Sequence, residues 1–247
     1  MTFHDLDTAL LSKDPINDLQ QLVDQGVMPP EIVAIVGFGG NGHKDLWKHT
    51  KTVVAQAIPR RAVRWGALFH DIGKPQCFRQ EGSKISFHGH EAVSAKIFNQ
   101  VGKRLGLEDG FREHVHFIVY HLGQIEAYLP DWTDSAVRRL GALLGDHLDD
   151  AIALSRADIT TANSKRRARK HSQLKELHTR ILALREEDAQ PAPLPKGLGV
   201  ALSEALGIPP SKALGSLMNT LKGAVEAGEL PVQAPFAVYI EHARQIL

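Results

Sequence analysis

Apolar residues recur along this chain at intervals of three and four rather than two, so helical periodicity dominates. Leu19, Leu22 and Val23 predict a first amphipathic helix that stops near Gly26. The glycine-rich stretch 37–42 predicts a loop, and Asp45 an N-cap for a helix through His49 to about Ile58. Pro59 opens the next helix, 61–71, whose end is marked by Gly73 and Pro75. Residues 76–89 read as a loop with room for a short hairpin at 84–87. Helices then follow at 90–105, 108–122, 135–144, 148–160 and 165–185.

Segment 190–199 carries three prolines and two glycines, the composition of a linker. Beyond it, Leu214, Leu217, Met218, Leu221 and Val225 keep helical spacing, with Ser211 as cap and Gly228 as stop, and a last helix is predicted at 236–246. This tail is too small to hold much core alone and is expected to pack on the main body or on a partner. The predicted organisation is all-α: an N-terminal helical segment 1–44, a core 45–189, a linker 190–199 and a small helical C-terminal extension 200–247.

Charge and cysteine content narrow the class. A formal net charge of +1 supplies no global basic field. Cys77 is the single cysteine, so no internal disulfide can form, which fits a reducing cytoplasm. Residues 1–11 include early acids and no basic region leading into an apolar stretch, unlike a signal peptide. The most apolar run, 32–38, is too short to cross a bilayer. A soluble cytoplasmic chain with no membrane partner is expected.

Histidine is frequent, with 13 in the chain, and that shifts attention to metal chemistry. The strongest local signal is His70-Asp71-Ile72-Gly73-Lys74-Pro75. Adjacent side chains within a helix diverge by about a hundred degrees. At a helix end, however, both can reach one ion, while Gly73 turns the chain away and Lys74 faces an anion. On its own the dipeptide fits a capped helix end equally well. His49 and Asp158 add to it, as ionisable residues in otherwise apolar helical stretches where an unpaired charge is expensive. Two imidazoles and two carboxylates suit borderline or hard divalent cations, and the absence of cysteine ligands argues against a thiolate zinc site.

The succession His49, His70-Asp71, Asp158 resembles the HD phosphohydrolase superfamily, with its pattern H…HD…D. The resemblance implies an orthogonal helical bundle holding one or two divalent ions (Mn, Ni, Co, Fe or Mg). Phosphoester hydrolysis by a metal-activated water is the reaction it implies. By position His49, His70, Asp71 and Asp158 would be ligands, and in a two-metal member His90 and His121 would join Asp71 at the second ion. Asp71 would bridge the ions or orient the nucleophile, and Lys74 would neutralise phosphate charge, with Arg156 a weaker phosphate candidate. His88, His114 and His116 are assigned no role.

A closer resemblance runs through Asp45-Leu46-Trp47-Lys48-His49-Thr50, the block from His70 to Pro75, Gly89-His90-Glu91, Trp132-Thr133-Asp134 and Arg156-Ala157-Asp158. These succeed each other as in the C-terminal half of bacterial CCA-adding tRNA nucleotidyltransferases. No Gly-Ser motif followed by paired acids is present, so CCA synthesis by this chain alone is not expected. The implied substrates are 2′,3′-cyclic nucleotides, 2′-nucleotides, related phosphomonoesters and RNA ends. Two alternatives stand beside this: a module that binds tRNA or a protein partner, and a nucleoside triphosphate phosphohydrolase. The basic run 165–171 could track a nucleic-acid backbone, although most such runs are a solvated helix face.

Overall fold

The computed structural model describes residues 2–39 and 45–247, and the chain is all-α apart from one small hairpin. Helix α1 (Phe3–Leu11), which the apolar pattern does not predict, begins at a reciprocal cap: Thr2 accepts from the Asp5 amide while the Asp5 carboxylate accepts from the Thr2 amide. Helix α2 (Pro15–Asp24) starts on Asp14 with proline in its first turn, and α3 (Pro30–Val33) is a single turn. Of the loop predicted at 37–42, Gly40 to Gly42 lie outside the described residues. Helix α4 (Leu46–Gln56) is capped by Asp45, which accepts from the Lys48 amide at 2.9 Å.

Helix α5 (Arg61–Phe69) is the axis of the fold. Every residue from Ala62 to Phe69 is buried, the environment of a helix surrounded on all sides. Its one buried cation, Arg64, donates to the carbonyls of Leu10, Ser12 and Ala57, so the charge is solvated by backbone. Asp7 of α1 accepts from Arg61 and from the Trp65 indole, tying the first helix to the axis.

A short α6 (Lys74–Cys77) follows, then strands β1 (Arg79–Glu81) and β2 (Lys84–Ser86), antiparallel with Gln80 opposite Ile85. The hairpin thus begins earlier than the 84–87 expectation. Helix α7 (His90–Arg104) matches the prediction closely, the helix predicted at 108–122 is α8 (Asp109–Tyr120), and an unpredicted short α9 (Leu122–Glu126) follows after a turn at His121. Helices α10 (Asp134–Leu144), α11 (Leu148–Ala157) and α12 (Ser164–Ala189) complete this part. Gly66 lets α8 and α11 press onto α5: a Cβ there would lie 3.1 Å from Leu154 and 3.2 Å from Ile118. One continuous core runs from Leu6 to Leu184.

The chain divides into two compact units, the first ending at Leu184 and the second being Arg185–Leu247. The second contains α13 (Leu198–Leu206), α14 (Lys212–Glu226) and α15 (Phe236–Ile246). Contrary to the expectation that the tail holds little core, Leu198, Leu202, Leu217, Leu221, Val225 and Tyr239 bury one another. Helix α13, unpredicted, supplies the missing apolar face. The Tyr239 hydroxyl donates to the Pro231 carbonyl and accepts from the Ala234 amide, so the aromatic ring enters that core with its polar end satisfied. No helix among the described residues is long and apolar enough to cross a membrane.

Candidate metal centre

The axis helix stops at Phe69, and that stop builds the site. His70 is the C-cap, and Asp71 lies in the turn beyond it, so the two neighbours escape helical divergence and face one point. Gly73 then makes an approach no other residue permits: a Cβ there would sit 2.6 Å from the His90 carbonyl and 2.7 Å from the Ser94 amide nitrogen. Its own amide donates to Ser94 Oγ at 2.9 Å. The glycine therefore docks the start of α7 against the His-Asp turn, which delivers His90 to Asp71.

Four ligand-type side chains converge from α4, α5 and its turn, and the end of α11. His49 Nε2 lies 2.9 Å from Asp158 Oδ1 and 3.3 Å from Asp71 Oδ2. His70 Nε2 lies 3.2 Å from Asp71 Oδ2 and 3.4 Å from Asp158 Oδ1. The two Nε2 atoms are 3.2 Å apart. The other oxygen of Asp71, Oδ1, faces His90 Nε2 at 3.2 Å, so this carboxylate stands between two sets of imidazoles. Lys74 Nζ donates to Asp71 Oδ2 at 2.5 Å.

The orientation of the rings decides what this cluster can hold. His70 Nδ1 lies 2.8 Å from the Ala67 carbonyl, and His90 Nδ1 lies 2.9 Å from that of Phe87. Carbonyls only accept, so each Nδ1 carries hydrogen and a neutral ring turns an Nε2 lone pair inward. Thr160 Oγ1, 3.2 Å from His49 Nδ1, steadies the third ring. Buried Asp158 Oδ1 has no well-aligned hydrogen-bond donor. Lone pairs and carboxylate oxygens at about 3 Å repel unless positive charge sits among them.

The electrostatics tell the same story. Burial pushes the Asp71 carboxyl up, but His70 beside it and hydrogen bonds with His49, His70 and His90 hold it well below the usual carboxylate range. Asp158 is likewise lowered, burial being outweighed by His70 and His49. Burial alone would lower His49 and His70, yet the two carboxylates raise both. The pocket thus demands cationic charge, either as protons on imidazoles or as a metal ion. Nitrogen and carboxylate donors clustered within 4.8 Å fit a divalent ion.

Several residues around the cluster are not legible as site residues in the sequence. Thr160 orients His49 from beyond the end of α11. Glu126, closing α9, shares a hydrogen bond with Asp158, and burial together with that neighbouring carboxylate pushes it up to about 7. The structure does not bring His121 into the cluster: its Nδ1 faces Gln124 Oε1 at 3.1 Å and its ring lies against Phe117, with no ion pair to Asp71. Its corner is nonetheless close to the second imidazole set, because Gly123 abuts Glu91, the residue after His90.

A cleft of about 370 Å³ opens over His49 and Asp158. Lys74 and Thr160 line it, Phe38 and Phe87 form an aromatic part of its wall, and Arg166 and Lys170 reach it from α12. Arg156 does not line it; that guanidinium is exposed, and its charge, with that of Arg167, is felt at His171.

Comparison with known proteins agrees with this geometry. Residues 46–163 match the HD domain family. The chain is 29% identical over 202 residues to the A-adding tRNA nucleotidyltransferase of Deinococcus radiodurans, covering 78% of this chain and 45% of that protein. It is 39% identical over 82 residues to the CC-adding tRNA nucleotidyltransferase of Thermus thermophilus, covering 29% of this chain and 19% of that protein. The chain thus spans less than half the length of the curated relatives it matches. It carries an HD domain, the domain of a metal-dependent phosphohydrolase superfamily, and its HD region resembles that of the tRNA nucleotidyltransferases.

Proposed function

We propose that this chain is a metal-dependent phosphohydrolase acting on phosphoester bonds of nucleotides or RNA ends, as a 2′,3′-cyclic phosphodiesterase, 2′-nucleotidase or phosphatase. The observation that carries it is the convergence of the His49 and His70 Nε2 atoms with the Asp71 and Asp158 carboxylates beneath a cleft lined by Lys74, Arg166 and Lys170. In this reading His49, His70, Asp71 and Asp158 hold one divalent ion. Asp71 Oδ1 and His90 offer donors to a second, with His121 the further residue at that end. A divalent ion there supplies Lewis acidity toward a phosphoryl oxygen and an acidified water as nucleophile.

The remaining roles belong to the protein. Asp71, held ionised, faces both sets of imidazoles and can orient the nucleophile. Lys74 stands beside it as a mobile point charge for a phosphate oxygen. Thr160 and the Ala67 and Phe87 carbonyls fix the three rings. The two relatives are tRNA nucleotidyltransferases, which favours RNA ends within this substrate class.

The test is phosphate release by the metal-stripped chain from 2′,3′-cyclic nucleotides, 2′-nucleotides and simple phosphomonoesters, with manganese, nickel, cobalt or magnesium restored singly. Turnover that requires a metal and vanishes in Asp71→Ala supports the reading. A folded protein inert with every metal would replace it with an RNA- or partner-binding role.

A further inference from the structure

Arg166 and Lys170 separate from the rest of the basic run. They lie four residues apart on α12, on one helix face, and both line the cleft that contains His49 and Asp158. Lys165, Arg167 and Arg169, exposed like Arg166, do not line it. Elsewhere in this unit several arginines have carboxylate partners: Arg60 with Asp150, Arg61 with Asp7, Arg104 with Glu31, Arg112 with Asp109, Arg180 with Asp134. Neither Arg166 nor Lys170 makes an ion pair with a described residue. Lys170 also borders the small recess that contains Glu126.

Two unpaired cations one turn apart, facing into the cleft, are placed for an anion. The scissile phosphate already has its own partners in the His-Asp cluster and Lys74. Phe38 and Phe87 provide aromatic surface in the same cleft, the kind on which bases stack. Resting on the phosphohydrolase reading above, we infer that Arg166 and Lys170 form a second phosphate subsite, which makes the substrate an oligonucleotide end. The terminal phosphate sits at the His-Asp cluster, and the adjoining internal phosphodiester sits on α12. A mononucleotide fills the first position and leaves the second empty.

The test compares kcat/KM of the full chain, with metal, on a nucleoside 2′,3′-cyclic phosphate and on a dinucleotide ending in the same cyclic phosphate. Wild type is expected to prefer the dinucleotide by roughly tenfold, for two cationic contacts to one added phosphate. Arg166→Ala and Lys170→Ala are expected to reduce that ratio toward one. Lys165→Ala and Arg169→Ala, equal charge losses outside the cleft, are expected to keep it. A ratio near one in wild type, or one that survives the double variant Arg166→Ala/Lys170→Ala, overturns the subsite. A nucleoside triphosphate preferred over the dinucleotide overturns it as well.

A binding measurement separates this outcome from failure of the hydrolase reading. Anisotropy of a fluorescein-labelled RNA pentamer ending in 3′-phosphate, on metal-free protein, needs no turnover. The double variant should bind roughly tenfold more weakly, with the salt slope reduced by about 0.7 for one phosphate no longer neutralised on a single strand. Those losses without turnover on any substrate would retain the subsite and remove the hydrolase. Turnover with no dinucleotide preference would do the reverse, and neither turnover nor a binding difference would remove both.

Discussion

Two clusters of histidine and aspartate lie in the same helical unit, and only one of them calls for a cation. In the second, His147 Nδ1 lies 2.9 Å from His114 Nδ1, His114 Nε2 lies 2.8 Å from Asp150 Oδ2, and Arg60 donates to Asp150 Oδ1. Read in order this is a chain of donors into acceptors: His147 donates to His114, and His114 and Arg60 donate to Asp150. Each contact is satisfied with both imidazoles neutral, and Arg60 balances the carboxylate. In the first cluster the same residue types turn Nε2 atoms and carboxylate oxygens toward one another, and His70, its Nδ1 held by a carbonyl, presents a lone pair there. Residue inventory is therefore a poor guide to a metal site. The direction of the lone pairs, set by what each Nδ1 touches, is the better one.

The largest effect that would sharpen the contrast is Asp71→Asn, which keeps the shape and removes the charge shared by both imidazole sets. Metal-dependent phosphate release should fall by roughly 10²–10³-fold or more, with bound metal per chain reduced by mass spectrometry. Unchanged metal content would break the comparison. Next comes Gly73→Ala, whose methyl would meet backbone of α7 rather than a flexible side chain. Displacing that helix withdraws His90 from Asp71, and metal affinity by titration should drop by about 10–100-fold. If Gly73→Ala binds metal like wild type, His90 contributes nothing to the centre.

Thr160→Val tests the ring orientation alone. Metal affinity should weaken by about tenfold while the urea midpoint moves little, since Thr160 is only half-buried. Smallest at the centre, and informative for that reason, is Asp150→Asn in the self-satisfied cluster. It should leave metal content untouched and cost about 1–2 kcal/mol of stability, the Arg60 contact being partly exposed.

That last variant also carries a pH signature. Burial pushes the Asp150 carboxyl up, but His114 and Arg60 together hold it below its ordinary value. A depressed carboxylate adds stability that is fully present above the unfolded pKa and lost as pH falls through the folded one. The stability gap between wild type and Asp150→Asn should therefore be widest near neutrality and shrink between about pH 5 and pH 3 in urea titrations. A gap that widened with acid would contradict the donor chain drawn here.

Legibility from sequence followed the range of the interaction. Asp45, Thr133 and Ser211 cap helices through their own backbone three residues on, and such contacts can be read from neighbours in the chain. Helix 236–246 matched to the residue, and the HD-type region is supported by the family match over 46–163. The reciprocal cap at Thr2 and Asp5 was equally local and available, and it marks the start of α1. The short α9 after His121 was not legible, because it runs through Gly123, a residue that weakens a helix and reads as a stop.

By itself, then, the sequence determined the helical class, most helix boundaries and the residue types able to meet at a metal, because periodicity, caps and the H…HD…D order are properties of the chain in one dimension. The tertiary structure decided which of those residues converge. It turned Nε2 of His49, His70 and His90 inward through contacts with Thr160 and two carbonyls. It also drew Glu126 to Asp158, sent Arg166 and Lys170 into the cleft, left Arg156 outside, and closed a second core around Tyr239. Each of these depends on the angle and distance at which remote helices cross. Those quantities are set by side-chain packing, down to a single hydrogen in place of a methyl at Gly73.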